Sequence, residues 1–353
     1  MDETAATEDK GLAADGTIRR EGSVERVRTE FAPVVGAARV RVAEAFGPAR
    51  LHSAYLYGSV PRGTAIPGVS DLDLLVALRE GPTARDRAAA DGAAAALDSA
   101  FPVIDGVGVL LFSVETLLGE ADRHDAGFLL ACLCTPLLGE DLAVRLPRYR
   151  PTSLLARETN GDLALALPRW RDRAAGATSG EARLRLSRGI ARHLVRTAFT
   201  LVMPHWGGWT SDPGRSAELF ARHYPHHPER AAQVRAAAAV ARTPSREPGV
   251  LTALIDDLGP WLAAEYTAAH GRRHRAPEGE AGENSWPPRS ATRKDARRGP
   301  EPEPPDGDRR PHPCRPQQTP TAPSSSTGAR VRSVKSCCAG AATTSRSSPT
   351  DAS

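Results

Sequence analysis

Asp71 and Asp73 stand two residues apart in the stretch Ser70-Asp-Leu-Asp-Leu-Leu-Val-Ala-Leu78, shortly after a Gly58-Ser59 pair. Residues two apart on a β-strand share a face, so both carboxylates would project side by side while Leu72, Leu74 and Val76 point into a core. Like charges held that close repel each other, and a cation relieves the repulsion. Upstream, the apolar run Ala54 to Tyr57 ends at Gly58-Ser59, the pattern of a strand handing over to a tight turn and a helix N-terminus. Backbone N–H groups in such a turn receive anions. The stretch therefore predicts a phosphate cradle facing a divalent-cation site.

The flanking chain supplies the elements that would position these groups. From Ser23 to Phe46, Val24, Val27, Phe31, Val34, Val35, Ala38, Val42 and Phe46 recur at helical spacing, which predicts an amphipathic helix with Ser23 as its N-cap. Leu51 to Tyr57 reads as a first strand, 58–63 as turn and helix start, and Asp71 to Leu78 as a second strand. Pro82 to Ala100 is an Ala-rich helix and Val103 to Phe112 a third strand. Beyond Tyr149 the pattern is helical: 154–177, 182–203, 216–223, 231–241 and 250–270 give about five helices with short Pro, Gly and Ser breaks.

Gly58-Ser59, Arg62-Gly63 and Ser70-Asp71-x-Asp73-Leu74, with this element order, resemble the signature of the DNA polymerase β-like nucleotidyltransferase superfamily. The resemblance implies an α+β catalytic core, a mixed sheet with flanking helices, over 23–148. It implies Mg²⁺-dependent transfer of a nucleoside monophosphate from an NTP, ATP in the first place, to a hydroxyl of a small-molecule acceptor. Gly58, Ser59 and Arg62 would bind the nucleotide. Because the family commonly completes a two-metal site from the third strand, Asp105 becomes the third metal-binding and catalytic candidate beside Asp71 and Asp73, although Asp105-Gly106 also reads as a turn dipeptide. The run Leu194 to Asp212, followed by Ser216 to Arg222, resembles the helical domain of aminoglycoside and related antibiotic nucleotidyltransferases, which implies an all-α substrate-binding domain over 149–270. A minimal core of this superfamily also serves in toxin–antitoxin modules, which implies the alternative of adenylylating or binding a protein partner.

Composition narrows these expectations. The net charge of +4 comes from the end of the chain: residues 271–353 hold 15 Lys and Arg against 9 Asp and Glu, and residues 1–270 hold 31 against 33. The basic balance therefore says little about the body, and nucleic acid is not its expected partner. Within 151–270, 15 Arg stand against 11 Asp and Glu, which does not favour a polycationic acceptor. Lysine occurs only at positions 10, 294 and 335, so a Walker-type phosphate loop is excluded and arginines must contact phosphates. No apolar run reaches membrane-spanning length and no signal peptide opens the chain, which predicts a cytoplasmic protein.

Residues 1–22 show little apolar periodicity and are expected to be disordered, as is the Pro-, Arg- and Ser-rich tail 271–353. Trp206 and Trp209, flanking Gly207-Gly208, read equally as a stacking platform for a ligand ring or as loop anchors in the core. Arg188 and His193 fit the loose Arg-x4-His spacing of HEPN-type ribonucleases, a spacing that arises readily in an Arg-rich helix.

Overall fold

A computed structural model of the chain describes residues 8–273. The tail expected to be disordered lies, apart from its first three residues, outside the described residues.

After two 3₁₀ turns (Val24–Arg26 and Thr29–Phe31), helix α1 spans Ala32–Arg50 and leads into strand β1, Leu51–Tyr57. The helix expected from Ser23 therefore starts late, and Ser23 makes no side-chain cap bond. Pro33 is the reason: it has no N–H to continue an earlier helix, yet fits the first turn of a new one. The one-turn helix α2, Ser59–Arg62, follows, then β2, Leu72–Leu78. Helix α3, Ala84–Ala100, crosses over to β3, Val107–Ser113, and α4, Val114–Leu118, continues from it. Two π-helical turns, Arg123–Gly127 and Leu129–Leu133, lead into β4, Cys134–Gly139.

The strands form one mixed sheet in the order β3-β2-β1-β4. β1 is antiparallel to both β2 and β4, whereas β2 and β3 are parallel, a pairing that needs the long α3 crossover. Alternation along the strands sorts side chains into two cores. Leu56, Leu72, Leu74, Val76, Val107 and Leu111 pack with α1 and α3 residues such as Val34 and Leu97. Tyr55, Leu75, Ala77 and Leu110 face the opposite way, onto Leu117, Leu129 and Leu130.

The helical half comprises α5 (Ser153–Asn160), α6 (Leu163–Gly176), α7 (Gly180–Trp206), α8 (Pro213–His223), α9 (Pro228–Arg242), α10 (Pro248–Thr252) and α11 (Gly259–His270). The single helix expected over 154–177 is broken at Gly161-Asp162. α7 is the spine, burying Ile190, Leu194, Val195, Phe199 and Val202 against α8, α9 and α11 residues such as Phe220, Val234 and Tyr266.

Residues 8–22 depart most from expectation. They run as a strap along the folded body: Ile18 is buried in the helical core, its N–H donates to the Tyr149 carbonyl at 2.8 Å, and Trp209 N–H donates to the Lys10 carbonyl at 2.8 Å. Arg20 ties the strap to Asp141 and to the Ala131 carbonyl. Backbone pairing and isolated ionic contacts hold this segment, and neither leaves apolar periodicity in a sequence.

The joint between α1 and α3 is ionic. Thr83 caps α3 in a reciprocal box with Asp86, and Arg50 at the end of α1 donates to both Asp86 oxygens at 3.0 and 2.7 Å. Arg50 and the Thr83 bonds hold the buried Asp86 carboxyl well below the usual carboxylate range. A depressed carboxyl contributes stability above its unfolded pKa and loses it in acid. Asp86→Ala is expected to destabilise the protein by about 2 kcal/mol in urea melts at pH 7, through loss of the cap and of the Arg50 partner, with the difference shrinking below pH 4.

Candidate functional site

Gly58 ends β1 with φ +83°, a left-handed backbone that a side chain disfavours. The turn brings it against Asp73 across the sheet: a Cβ on Gly58 would lie 2.7 Å from Asp73 Oδ2. On the other side, a Cβ on Gly108 of β3 would lie 3.0 Å from Asp73 Oδ1. Two glycines thus clasp the Asp73 carboxylate, and Ser59, next after Gly58, opens α2. Burial pushes the Asp73 carboxyl up to about 6, opposed by the positive charges of Arg192 and Arg62. Asp71, buried at 6 % exposure, precedes it by two residues, immediately before β2 begins at Leu72.

The structure therefore brings Gly58 against Asp73, with Arg62 in charge range, while Ser59 follows Gly58 and Asp71 immediately precedes β2. Arg62 is held in place by Glu21 at 3.4 Å, and Glu21 also accepts from the Ser211 N–H at 2.9 Å. One strap carboxylate thus links the turn after β1 to the loop after α7. Sequence reasoning missed Glu21 because it lies in the stretch without periodicity.

Asp105 is placed differently. The expected third strand begins only at Val107, so Asp105 sits in the preceding turn, its N–H donating to the Ser70 carbonyl at 3.0 Å. The parallel register pairs Asp73 with Gly108, so even-numbered β3 residues share the Asp73 face. Asp105 lies outside that register, and its Oδ2 lies 3.9 Å from Arg188 Nη1 on α7. Among the described residues no group of three or more His, Cys, Asp or Glu comes together as a metal site. Asp71 and Asp73 by themselves still suit a divalent cation. Mg²⁺ commonly takes one or two carboxylates and completes its shell with water and substrate phosphates, and its charge would offset the desolvation of Asp73.

The second missed group is a row of arginines on α7. Arg188, Arg192 and Arg196 recur every four residues and so share a face. Arg188 meets Asp105, Arg192 is exposed yet acts on Asp73, and Arg196 is pushed down to about 10 by burial and by Arg192. Their four-residue period was visible, but nothing in the sequence says which face of a long helix meets the sheet. His193 turns away from Arg188 towards Asp162 at 3.9 Å and the Trp170 ring, and burial pushes it down to about 4. Trp206 and Trp209 prove to be core residues: both are buried, and both pack edge-on against Phe199, Trp209 also against Phe128.

Residues 41–103 match the family model described as a nucleotidyltransferase domain. The match contains Gly58, Ser59, Arg62, Asp71 and Asp73 and stops short of Asp105. No curated protein matches the chain. Among solved structures, the chain is similar to a spectinomycin adenyltransferase from Enterococcus faecialis, in a crystal structure with ATP and spectinomycin. The identity is 14 %, the TM-score 0.40, and the alignment covers 67 % of this chain and 98 % of that one. Among the described residues no helix is long and apolar enough to cross a membrane.

A cation at this site must compete with the proton on Asp73. With the free carboxyl near 6, about one molecule in ten is ionised there at pH 5. Mn²⁺ binding followed by electron paramagnetic resonance is expected to weaken by roughly tenfold between pH 7.5 and pH 5, whereas a site built on ordinary surface carboxylates would hold its affinity.

Proposed function

We propose, from the nucleotidyltransferase domain that the chain carries, that the protein transfers the nucleoside monophosphate of an NTP, ATP in the first place, to a hydroxyl of a small-molecule acceptor and releases pyrophosphate. The observation behind this reading is the clasp at Asp73: a positive-φ Gly58 whose Cβ position lies 2.7 Å from the half-buried Asp73 carboxylate. A phosphate-receiving turn and a cation-demanding carboxylate have little reason to be packed together unless a metal-bound phosphate lies between them.

In this reading Asp71 and Asp73 would hold Mg²⁺, which would supply Lewis-acid charge to the acceptor hydroxyl and the phosphates. The Ser59 N–H and hydroxyl receive the β- and γ-phosphates, and Arg62, braced by Glu21, adds a charge-assisted contact. The acceptor oxygen forms a bond to the α-phosphorus as the bond to the pyrophosphate oxygen breaks in line, and the hydroxyl proton passes to solvent. Residues 23–148 supply this chemistry and 149–270 face it with α7. Because Arg188 and Arg192 stand on that side, the acceptor is neutral or anionic rather than a polycation. An ATP-consuming enzyme of this kind fits the cytoplasm.

The reading is tested by incubating the protein and Mg²⁺ with labelled NTPs and panels of hydroxyl compounds, antibiotics and protein extracts. Label on a small molecule supports it, and AMP found only on a protein would favour a protein-modifying enzyme instead. Asp73→Asn is expected to lower Mg²⁺-dependent pyrophosphate release by about 10³-fold. The same change should raise the melting temperature of the metal-free protein at pH 8. A carboxyl raised to about 6 opposes folding wherever it is ionised, and the amide removes that cost.

A further inference from the structure

The position on β3 that faces Asp73 is a glycine. Register pairs Asp73 with Gly108, and Leu110, next on the same face, enters the Tyr55–Leu75 core. Val107 and Leu111 go to the opposite core. With Asp73 Oδ1 3.0 Å from where a Gly108 Cβ would stand, a side chain there could enter only by pushing Asp73 aside. The carboxylate that precedes β3, Asp105, lies in the turn before the strand, and its Oδ2 is 3.9 Å from Arg188 Nη1. The site thus offers Asp73 on β2 and Asp71 immediately before it, and the β3 residue that faces Asp73 is a glycine. That donor set suits one divalent cation and does not suit a bridged pair.

Positive charge comes instead from the helical half. Arg192 lies one turn beyond Arg188 on the same face of α7, and its positive charge and the Asp73 carboxylate act on each other. It is exposed to solvent, and its charge falls on Asp73, with Arg62 and Arg188 close by. A guanidinium presents a planar fork of donors to phosphate oxygens and needs no carboxylate ligands of its own.

We propose that the site takes a single divalent cation, held by Asp71 and Asp73, and that the Arg192 guanidinium supplies the charge a second cation would bring to the nucleotide phosphates. Asp105 is then a positioning residue that aims α7 through Arg188. This rests on the nucleotidyl-transfer reading above.

The test is a Mn²⁺ titration of the full chain with a non-hydrolysable ATP analogue, read by paramagnetic resonance for stoichiometry and by calorimetry for analogue affinity. One Mn²⁺ per chain is expected in the wild type and in Asp105→Asn. Arg192→Ala, at an exposed position that leaves the core intact, should keep that stoichiometry and bind the analogue roughly tenfold or more weakly. Two Mn²⁺ per chain with the broadened spectrum of a coupled pair, a stoichiometry that falls in Asp105→Asn, or undiminished analogue affinity in Arg192→Ala would each overturn the proposal and leave nucleotidyl transfer standing. Mn²⁺ binding that is the same in Asp73→Asn as in the wild type would overturn both together.

Discussion

A carboxylate that is expensive to keep charged governs this structure. Asp73 is lodged between the backbones of Gly58 and Gly108, with the first turn of α2 against one oxygen and a parallel strand against the other. A Cβ on Gly58 would lie 2.7 Å from one carboxylate oxygen and one on Gly108 3.0 Å from the other, so a side chain at either place would have to shift the carboxylate. The sheet order follows the same requirement. β2 must be central for Asp73 to be flanked on both sides, with β1 delivering the turn and β3 the second glycine. Desolvation there raises the carboxyl, and the charges that compensate it arrive from α2 and from α7, far apart in sequence.

Holding those distant charges in place falls to segments that look expendable. The strap of residues 8–22 meets both halves of the folded body, through Arg20 on Asp141 and Ile18 beneath Tyr149. Glu21 at its end joins Arg62 to the loop after α7. That loop is in turn fixed by Trp206 and Trp209, whose rings close on Phe199 and Phe128 rather than on a ligand. Cation positions in the site therefore depend on tertiary fastening more than on the local elements that carry them.

Arginine is suited to that arrangement where lysine is not. A guanidinium stays charged when partly buried, as the lowered but still basic Arg196 illustrates, and it can satisfy one partner while presenting donors to another. With no lysine between positions 10 and 294, every fixed side-chain cation near the site is of this kind. Opposing Asp105 with Arg188 adds an ionic contact to the apolar packing of Phe128 and Cys132 with the α7 core.

The sequence alone determined the strands β1 and β2, the turn at Gly58-Ser59 and the pairing of Asp71 with Asp73. Each is local: a period of two, a turn glycine and a two-residue spacing are written in consecutive residues. The α+β order and the helical character beyond Tyr149 were legible for the same reason. Tertiary structure alone decided the rest. Whether Asp105 shares a face with Asp73 depends on where β3 starts and on its register, and a shift of one residue reverses the answer. Which face of α7 carries the site, why residues 8–22 are held, and that Trp206 and Trp209 are core are settled by contacts between residues up to about two hundred positions apart. No window along the chain contains both partners of such a contact.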